Sequence, residues 1–122
     1  MTRTVLVVED EADILLGERI ALEVAGYRVL TAASAEEALI TLEREVPDLL
    51  VLDLRLPGMD GWGLLGRLKD MGLLPGLAVI VASADASIEG ESQAKALGCR
   101  AYLTKPFSVE DLRRTVDVIL SD

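Results

Sequence analysis

Polar side chains occur where several apolar segments of this sequence end. In chain order they are Glu9, Asp10, Asp53, Ser83 and Lys105. Three carboxylates brought together repel one another unless they take up protons or share a cation. The chain has no histidine and a single cysteine, so it offers mainly hard oxygen ligands, which select Mg²⁺ or a similar ion. A lysine and a hydroxyl beside such an ion are suited to holding phosphoryl oxygens, and Asp53 could then act as a nucleophile.

The elements that must position these groups follow an alternating pattern. Five short apolar segments predict strands at 4–8, 27–32, 49–52, 77–82 and 100–104. Five longer amphipathic segments predict helices at 13–25, 34–46, 61–71, 86–97 and 109–120. Continuously apolar strands are typical of a parallel sheet that is covered on both faces. The sequence therefore predicts an α/β fold, a doubly wound five-stranded parallel sheet of the flavodoxin-like (βα)5 type.

Such a sheet binds ligands outside the carboxyl ends of its strands. If the strand order is 2-1-3-4-5, the first and third strands are neighbours at the point where the winding direction changes. Glu9, Asp10 and Asp53 then converge on one edge of the sheet, and Ser83 and Lys105 follow the fourth and fifth strands. We expect a metal and phosphoryl site at this edge.

Each of these residues has an ordinary structural interpretation when it is taken alone. A single aspartate at a strand end is usually a turn cap, and Glu9 with Asp10 would suit the first turn of a helix, where acids favour the helix dipole. A lysine such as Lys105 is usually a solvated surface charge. Their occurrence together on one predicted edge favours a functional site over separate coincidences.

The composition argues against several classes of function. The chain has 122 residues and a net charge of −9, which disfavours a nucleic-acid or anionic-membrane surface. No apolar run approaches the roughly 18 residues that a membrane span needs, and the first residues do not resemble a signal peptide. Cys99 is the only cysteine, so no internal disulfide can form. We expect one domain over residues 1–122, located in the cytoplasm, with no membrane insertion and no direct nucleic-acid binding.

The sequence resembles the receiver domain of two-component response regulators over essentially its whole length. The motifs that carry the resemblance are Glu9-Asp10, "DLRLPGMDG" at 53–61, Ser83-Ala84, and "YLTKPF" at 102–107. The resemblance implies that Asp53 accepts a phosphoryl group from a sensor histidine kinase or a histidine phosphotransfer protein. It also implies a bound Mg²⁺ (or Mn²⁺) whose ligands are Glu9, Asp10, Asp53 and the backbone carbonyl of Arg55.

The resemblance further implies a switch. Ser83 and Lys105 would contact the phosphoryl oxygens, and Tyr102 would swing inward when Ser83 moves toward the phosphoryl group. That movement would reshape the face made by the fourth helix, the fifth strand and the fifth helix, which a downstream output protein or domain reads. The chain would then be a signalling module rather than an enzyme, catalysing only its own phosphotransfer and its own slow dephosphorylation.

Two features are particular to this chain. Arg55 and Asp85 lie two residues beyond Asp53 and Ser83, and their opposite charges lead us to expect an ion pair across the site entrance that tunes dephosphorylation. Two solvated side chains, worth at most about 1 kcal/mol together, are the alternative. Gly90, between two serines in the fourth helix, predicts a loosely held N-terminal half of that helix.

Other functions remain open at this stage. A small aspartyl-phosphate phosphatase or phosphotransferase uses the same chemistry, but such enzymes typically carry an aspartate where this chain has Arg55. A flavodoxin-like electron carrier would need a Ser/Thr/Gly-rich phosphate loop after the first strand, where this chain has "EDEAD" at 9–13. A receiver that signals without phosphate is a further alternative, against which the intact set of site residues argues.

Overall fold

Strands and helices alternate strictly along the computed structural model, which describes residues 2–121. The strands are β1 (Thr4–Val8), β2 (Arg28–Ala32), β3 (Leu49–Asp53), β4 (Ala78–Ser83) and β5 (Ala101–Thr104). The helices are α1 (Ala12–Val24), α2 (Ala35–Arg44), α3 (Gly61–Asp70), α4 (Ile88–Ala96) and α5 (Val109–Leu120).

The strands form one parallel sheet in the order β2-β1-β3-β4-β5. This confirms the predicted fold class and strand order. The register pairs Val8 with Leu52 and Asp53 with Ala82, so the carboxyl ends of the central strands reach the same edge of the sheet. The fold therefore brings the residues after β1, β3 and β4 together.

Helices cover both faces of the sheet, and successive residues of each strand pack into opposite cores. Leu6 and Leu50 belong to one apolar cluster, whereas Val5 and Leu49 belong to the other. Every residue of β1, β3 and β4 is buried, while β2 and β5 at the edges are partly exposed. This explains why the central strands read as continuous apolar runs in the sequence.

Serine caps fix the starts of three helices. The hydroxyl oxygens of Ser34 and Ser108 accept hydrogen bonds from backbone N–H groups three residues on, as their positions in the sequence predict. Ser87 does the same at α4, accepting from the Gly90 N–H. The α4 helix consequently begins at Ile88 rather than at the predicted residue 86, because Ser87 is its cap and Ala86 precedes the cap.

Within residues 2–121, no helix is long and apolar enough to cross a membrane.

Candidate phosphoryl and metal site

Three carboxylates converge at the carboxyl edge of the sheet. Glu9 and Asp10 follow β1, and Asp53 is the last residue of β3. One oxygen atom from each lies within 4.8 Å of the others. Glu9 and Asp53 are only 2% and 5% exposed, whereas Asp10 is open to solvent. With Lys105 these residues form what we call the carboxyl-edge cluster.

Lys105 neutralises part of the negative charge in the carboxyl-edge cluster. Its Nζ donates to Glu9 Oε1 at 2.8 Å and to Asp53 Oδ2 at 3.2 Å. Burial disfavours the ammonium form, but the hydrogen bonds and charges of the two carboxylates outweigh that effect and raise the pKa of Lys105. Burial raises the pKa of Glu9 by more than the Lys105 hydrogen bond lowers it. The lysine therefore remains charged between two partly desolvated carboxyl groups.

The donor set of this cluster fits a divalent cation. Three carboxylates face one ammonium, which leaves two negative charges uncompensated when all are ionised. All ligands are hard oxygen atoms, as Mg²⁺ prefers. A cavity of about 180 Å³ adjoins them, and its lining includes Asp10, Asp53, Arg55, Ala84 and Lys105. The small side chain of Ala84 leaves space beside Asp53 for a transferred group.

Backbone contacts hold the Asp53 carboxylate in place. The Arg55 N–H donates to Asp53 Oδ1 at 3.0 Å, and the Leu54 N–H donates to the Ala82 carbonyl of β4. Since Lys105 contacts the other carboxylate oxygen, both oxygens of Asp53 have a defined partner. The Asp53 carboxylate is thus held in one orientation.

Gly61 is a site residue whose role the sequence alone does not reveal. Its N–H donates to the Leu54 carbonyl at 2.9 Å, which docks the start of α3 against the end of β3. A Cβ atom at Gly61 would lie 2.6 Å from Leu54 Cα and 2.9 Å from the Asp53 carbonyl oxygen. Only glycine allows this close approach. The signal available in the sequence is a glycine directly after Asp60, the cap of α3.

Ser83 and Tyr102 hold the same loop residue. The Asp85 N–H donates to Ser83 Oγ at 3.0 Å, and the Tyr102 hydroxyl donates to the Asp85 carbonyl at 2.6 Å. A Cβ atom at Gly90 would lie 3.2 Å from the Tyr102 hydroxyl, so this glycine gives the tyrosine its space. The loop between β4 and α4 therefore connects the end of β4 with the exposed side of β5.

The expected ion pair between Arg55 and Asp85 is not formed among residues 2–121. Both side chains line a cavity of about 280 Å³ together with Ser83 and Trp62. However, Asp85 Oδ1 accepts a hydrogen bond from the Ser87 N–H at 2.8 Å. Hydrogen bonding from Ser87 lowers the pKa of Asp85, so this carboxylate already has a partner at the start of α4.

Comparisons with known proteins identify the family to which this chain is related. The family model for the response regulator receiver domain matches residues 5–117. The phosphate regulon transcriptional regulatory protein PhoB of Pseudomonas aeruginosa is 36% identical over 118 residues, covering 97% of this chain and 52% of that protein. A 14.6 kDa protein of Leptolyngbya boryana is 41% identical over 112 residues, covering 92% of this chain and 86% of that protein.

Solved structures give the same result. The receiver domain of the Francisella response regulator 1452 superimposes with a TM-score of 0.90 at 30% identity, covering 97% of this chain and 96% of that one. The chain spans about half the length of most of the curated relatives it matches. The matched family, the shared fold and the carboxyl-edge cluster lead to one conclusion: this chain belongs to the response regulator receiver domain family.

Proposed function

We propose that this chain is a phosphorylation-dependent switch of a two-component system, in which Asp53 accepts a phosphoryl group from a histidine kinase or a histidine phosphotransfer protein. The observation that carries the proposal is the buried Asp53 carboxylate, held against Lys105 and beside two further carboxylates. An aspartate with only a structural role would not require two further acids beside it. Three carboxylates with one lysine are suited to binding a cation and a phosphoryl group together.

The transfer forms one bond and breaks another. A carboxylate oxygen of Asp53 attacks the phosphorus of the donor phosphohistidine, the P–N bond breaks, and the histidine nitrogen keeps the electron pair. The product on this chain is an acyl phosphate. Lys105 Nζ, already 3.2 Å from Asp53 Oδ2, then holds a phosphoryl oxygen, and the Ser83 hydroxyl donates to another.

The metal site is built from the same cluster. Glu9, Asp10, Asp53 and the backbone carbonyl of Arg55 would hold Mg²⁺ or Mn²⁺. When bound, the ion neutralises charge on the transferred phosphoryl group. Arg55 faces the same 180 Å³ cavity as Asp53, which supports its inclusion.

The two hydrogen bonds at Asp85 support the proposed switch. When the Ser83 side chain moves to donate to a phosphoryl oxygen, its Oγ is carried away from the Asp85 N–H, and the loop before α4 is then free to move. The Tyr102 hydroxyl bonds the carbonyl of this same residue, so the tyrosine moves with the loop. The altered surface comprises α4, β5 and α5, which we propose binds a downstream protein or output domain in the cytoplasm.

Trp62 allows a direct test of the phosphoryl site. It is half-buried and lines a cavity with Ser83 and Asp85. We expect beryllofluoride, a phosphoryl mimic, to change its fluorescence only when Mg²⁺ is present, and Asp53→Asn to abolish the change. Asp70→Asn, which removes an exposed carboxylate at the end of α3, serves as the control and should respond as wild type does. A response that survives Asp53→Asn would refute the proposal.

We also propose that Arg55 and Asp85 tune the lifetime of the acyl phosphate. Both line the cavity at the site entrance, although Asp85 is bonded to the Ser87 N–H in this structure. Arg55→Ala should change the half-life of phosphorylated protein, measured by the decay of the phosphoryl label. Arg67→Ala, on the exposed side of α3, is the control. An unchanged half-life in Arg55→Ala would end this part of the proposal.

A further inference from the structure

A cavity of about 540 Å³ lies between α1 and the start of α5, which is within the size range of small-molecule sites. We call it the α1–α5 cavity. Most of its lining is apolar or small, namely Ile14, Gly17, Ala84, Pro106, Phe107 and Val109. Gly17 contributes no side chain, and an added Cβ there would meet nothing within 4 Å. The cavity is thus a preformed apolar recess rather than a closed defect in the core.

The α1–α5 cavity also contains a carboxylate without a partner. Glu18 is only 4% exposed, and its side chain makes no hydrogen bond or ion pair with any residue of 2–121. In residues 2–121, every fully enclosed side-chain oxygen or nitrogen has a hydrogen-bond partner. Because the Glu18 oxygens have no partner, they are not fully enclosed and remain accessible from the cavity that Glu18 lines. A buried carboxylate that lacks a partner is costly for the fold, and a ligand can remove that cost.

The charges around the α1–α5 cavity determine what it can bind. Asp13 adds a second carboxylate to the lining. Lys105 is the only cation in the lining, and its Nζ is already engaged by Glu9 and Asp53. Burial raises the pKa of Glu18, and the negative charges of Glu9 and Asp53 raise it further. The positive charge of Lys105 lowers it by less, so the pKa of Glu18 is about 7. An anion would therefore be repelled, whereas a cation would supply the missing partner.

We propose that the α1–α5 cavity binds small organic cations that carry an ammonium or amidinium group on an apolar body. The cationic group pairs with the Glu18 carboxylate, and the apolar body packs against Ile14 and Phe107. The α1–α5 cavity adjoins the cavity of about 180 Å³ beside Asp53, with which it shares Ala84 and Lys105.

Benzamidinium and its uncharged relative benzamide are the probes that test this proposal. In an amide-resolved NMR titration at pH 8, we expect benzamidinium to give saturable shifts at Gly17 and Phe107. Benzamide, equal in shape but neutral, should bind at least tenfold more weakly. Equal binding of the two compounds, or no saturable shift with benzamidinium, would overturn the proposal.

Variants of α1 separate the carboxylate from the recess. Glu18→Gln keeps the shape of the side chain. It should weaken the binding of benzamidinium at least tenfold and leave the affinity for benzamide unchanged. Glu23→Gln removes an exposed acid paired with Arg19 on the same helix and should leave both affinities unchanged. The amide spectrum of each variant reports whether it is folded. Undiminished benzamidinium binding by folded Glu18→Gln would contradict the assignment of Glu18 as the cation partner.

Discussion

The carboxylates at the edge of the sheet and the Glu18 carboxylate in α1 are both withdrawn from water, yet their surroundings differ. Glu9 and Asp53 share the Lys105 ammonium at hydrogen-bond distance. Glu18 has no partner in the part of the chain that the structure describes, and burial raises its pKa to about 7. The first group shares a cation at hydrogen-bond distance, while Glu18 is close to protonation at neutral pH. Burial alone therefore does not make an acid functional in the same way.

The largest expected effect comes from removing the cation of the carboxyl-edge cluster. Lys105→Met leaves Glu9 and Asp53 buried without their shared partner, so the free energy of unfolding at pH 7 should fall by about 4 kcal/mol. Mg²⁺ should restore part of that loss, which urea unfolding with and without the ion would measure. Lys95→Met breaks only the exposed pair with Glu91 and should change stability by less than about 1 kcal/mol. Equal losses of stability in Lys105→Met and Lys95→Met would contradict the claim that Lys105 compensates buried charge.

Replacing Glu18, the unpartnered acid, should raise stability, in contrast to the loss expected for Lys105→Met. Glu18 is protonated more readily in the folded chain than in the unfolded one, because folding raises its pKa from 4.5 to about 7. Its contribution to stability is fully present below pH 4.5 and is lost as the pH rises through about 7. At pH 8, Glu18→Leu should therefore be more stable than wild type by up to about 3 kcal/mol.

The pH profile distinguishes this cause from improved apolar packing. The stability difference between Glu18→Leu and wild type should grow as the pH rises from 4.5 to 8, measured by urea unfolding at several pH values. Glu18→Gln should show the same growth with a smaller offset, because it removes the ionisation but not the polarity. A difference that stays constant with pH would contradict the account of Glu18.

The geometry of the carboxyl-edge cluster also depends on a close backbone contact. Gly61→Ala would place a Cβ 2.6 Å from Leu54 Cα, which is backbone and cannot turn aside. We expect a loss of about 2 kcal/mol in stability and a weaker beryllofluoride response. Gly66→Ala lies in the same helix with nothing within 4 Å of the added Cβ, and should stabilise by about 1 kcal/mol. Thermal unfolding of both variants tests the contrast in sign.

The smallest effect should come from the hydroxyl that connects β5 to the loop before α4. Tyr102→Phe removes one hydrogen bond to the Asp85 carbonyl and should lower stability by about 1 kcal/mol. Amide exchange from Asp85 to Gly90 should become faster. Tyr27→Phe removes a comparable bond to Asp117 and should leave that segment unaffected. Identical exchange in the two variants would show that Tyr102 does not hold the loop.

Much of the fold was predictable because a strand that is buried on both faces requires a continuous run of apolar residues. The central strands are buried on both faces, so their apolar runs identify them, and the strand order then brings Glu9 and Asp53 together. The Ser34 and Ser108 caps were predictable because a cap depends on local spacing. Helix ends were less certain, since Ser87 can serve as a cap or as a helical residue.

Contacts between distant segments were beyond prediction from spacing alone. The proximity of Gly61 to the backbone of Leu54, and that of Gly90 to Tyr102, arise only when α3 and α4 dock on the sheet. Asp85 bonds to the Ser87 N–H rather than to Arg55 because a nearby backbone donor requires less side-chain ordering. Glu18 did leave a signal, since it lies four residues after Ile14 on the apolar side of α1.

The central claim, that Asp53 is the phosphoryl acceptor, is tested most directly by intact mass and peptide mapping after incubation with acetyl phosphate. We predict that wild type gains one phosphoryl group in the presence of Mg²⁺, located at Asp53, and that removing Mg²⁺ with a chelator prevents the gain. Asp53→Asn should gain none under the same conditions. A phosphoryl group on Asp53→Asn, or on another residue of wild type, would contradict the account.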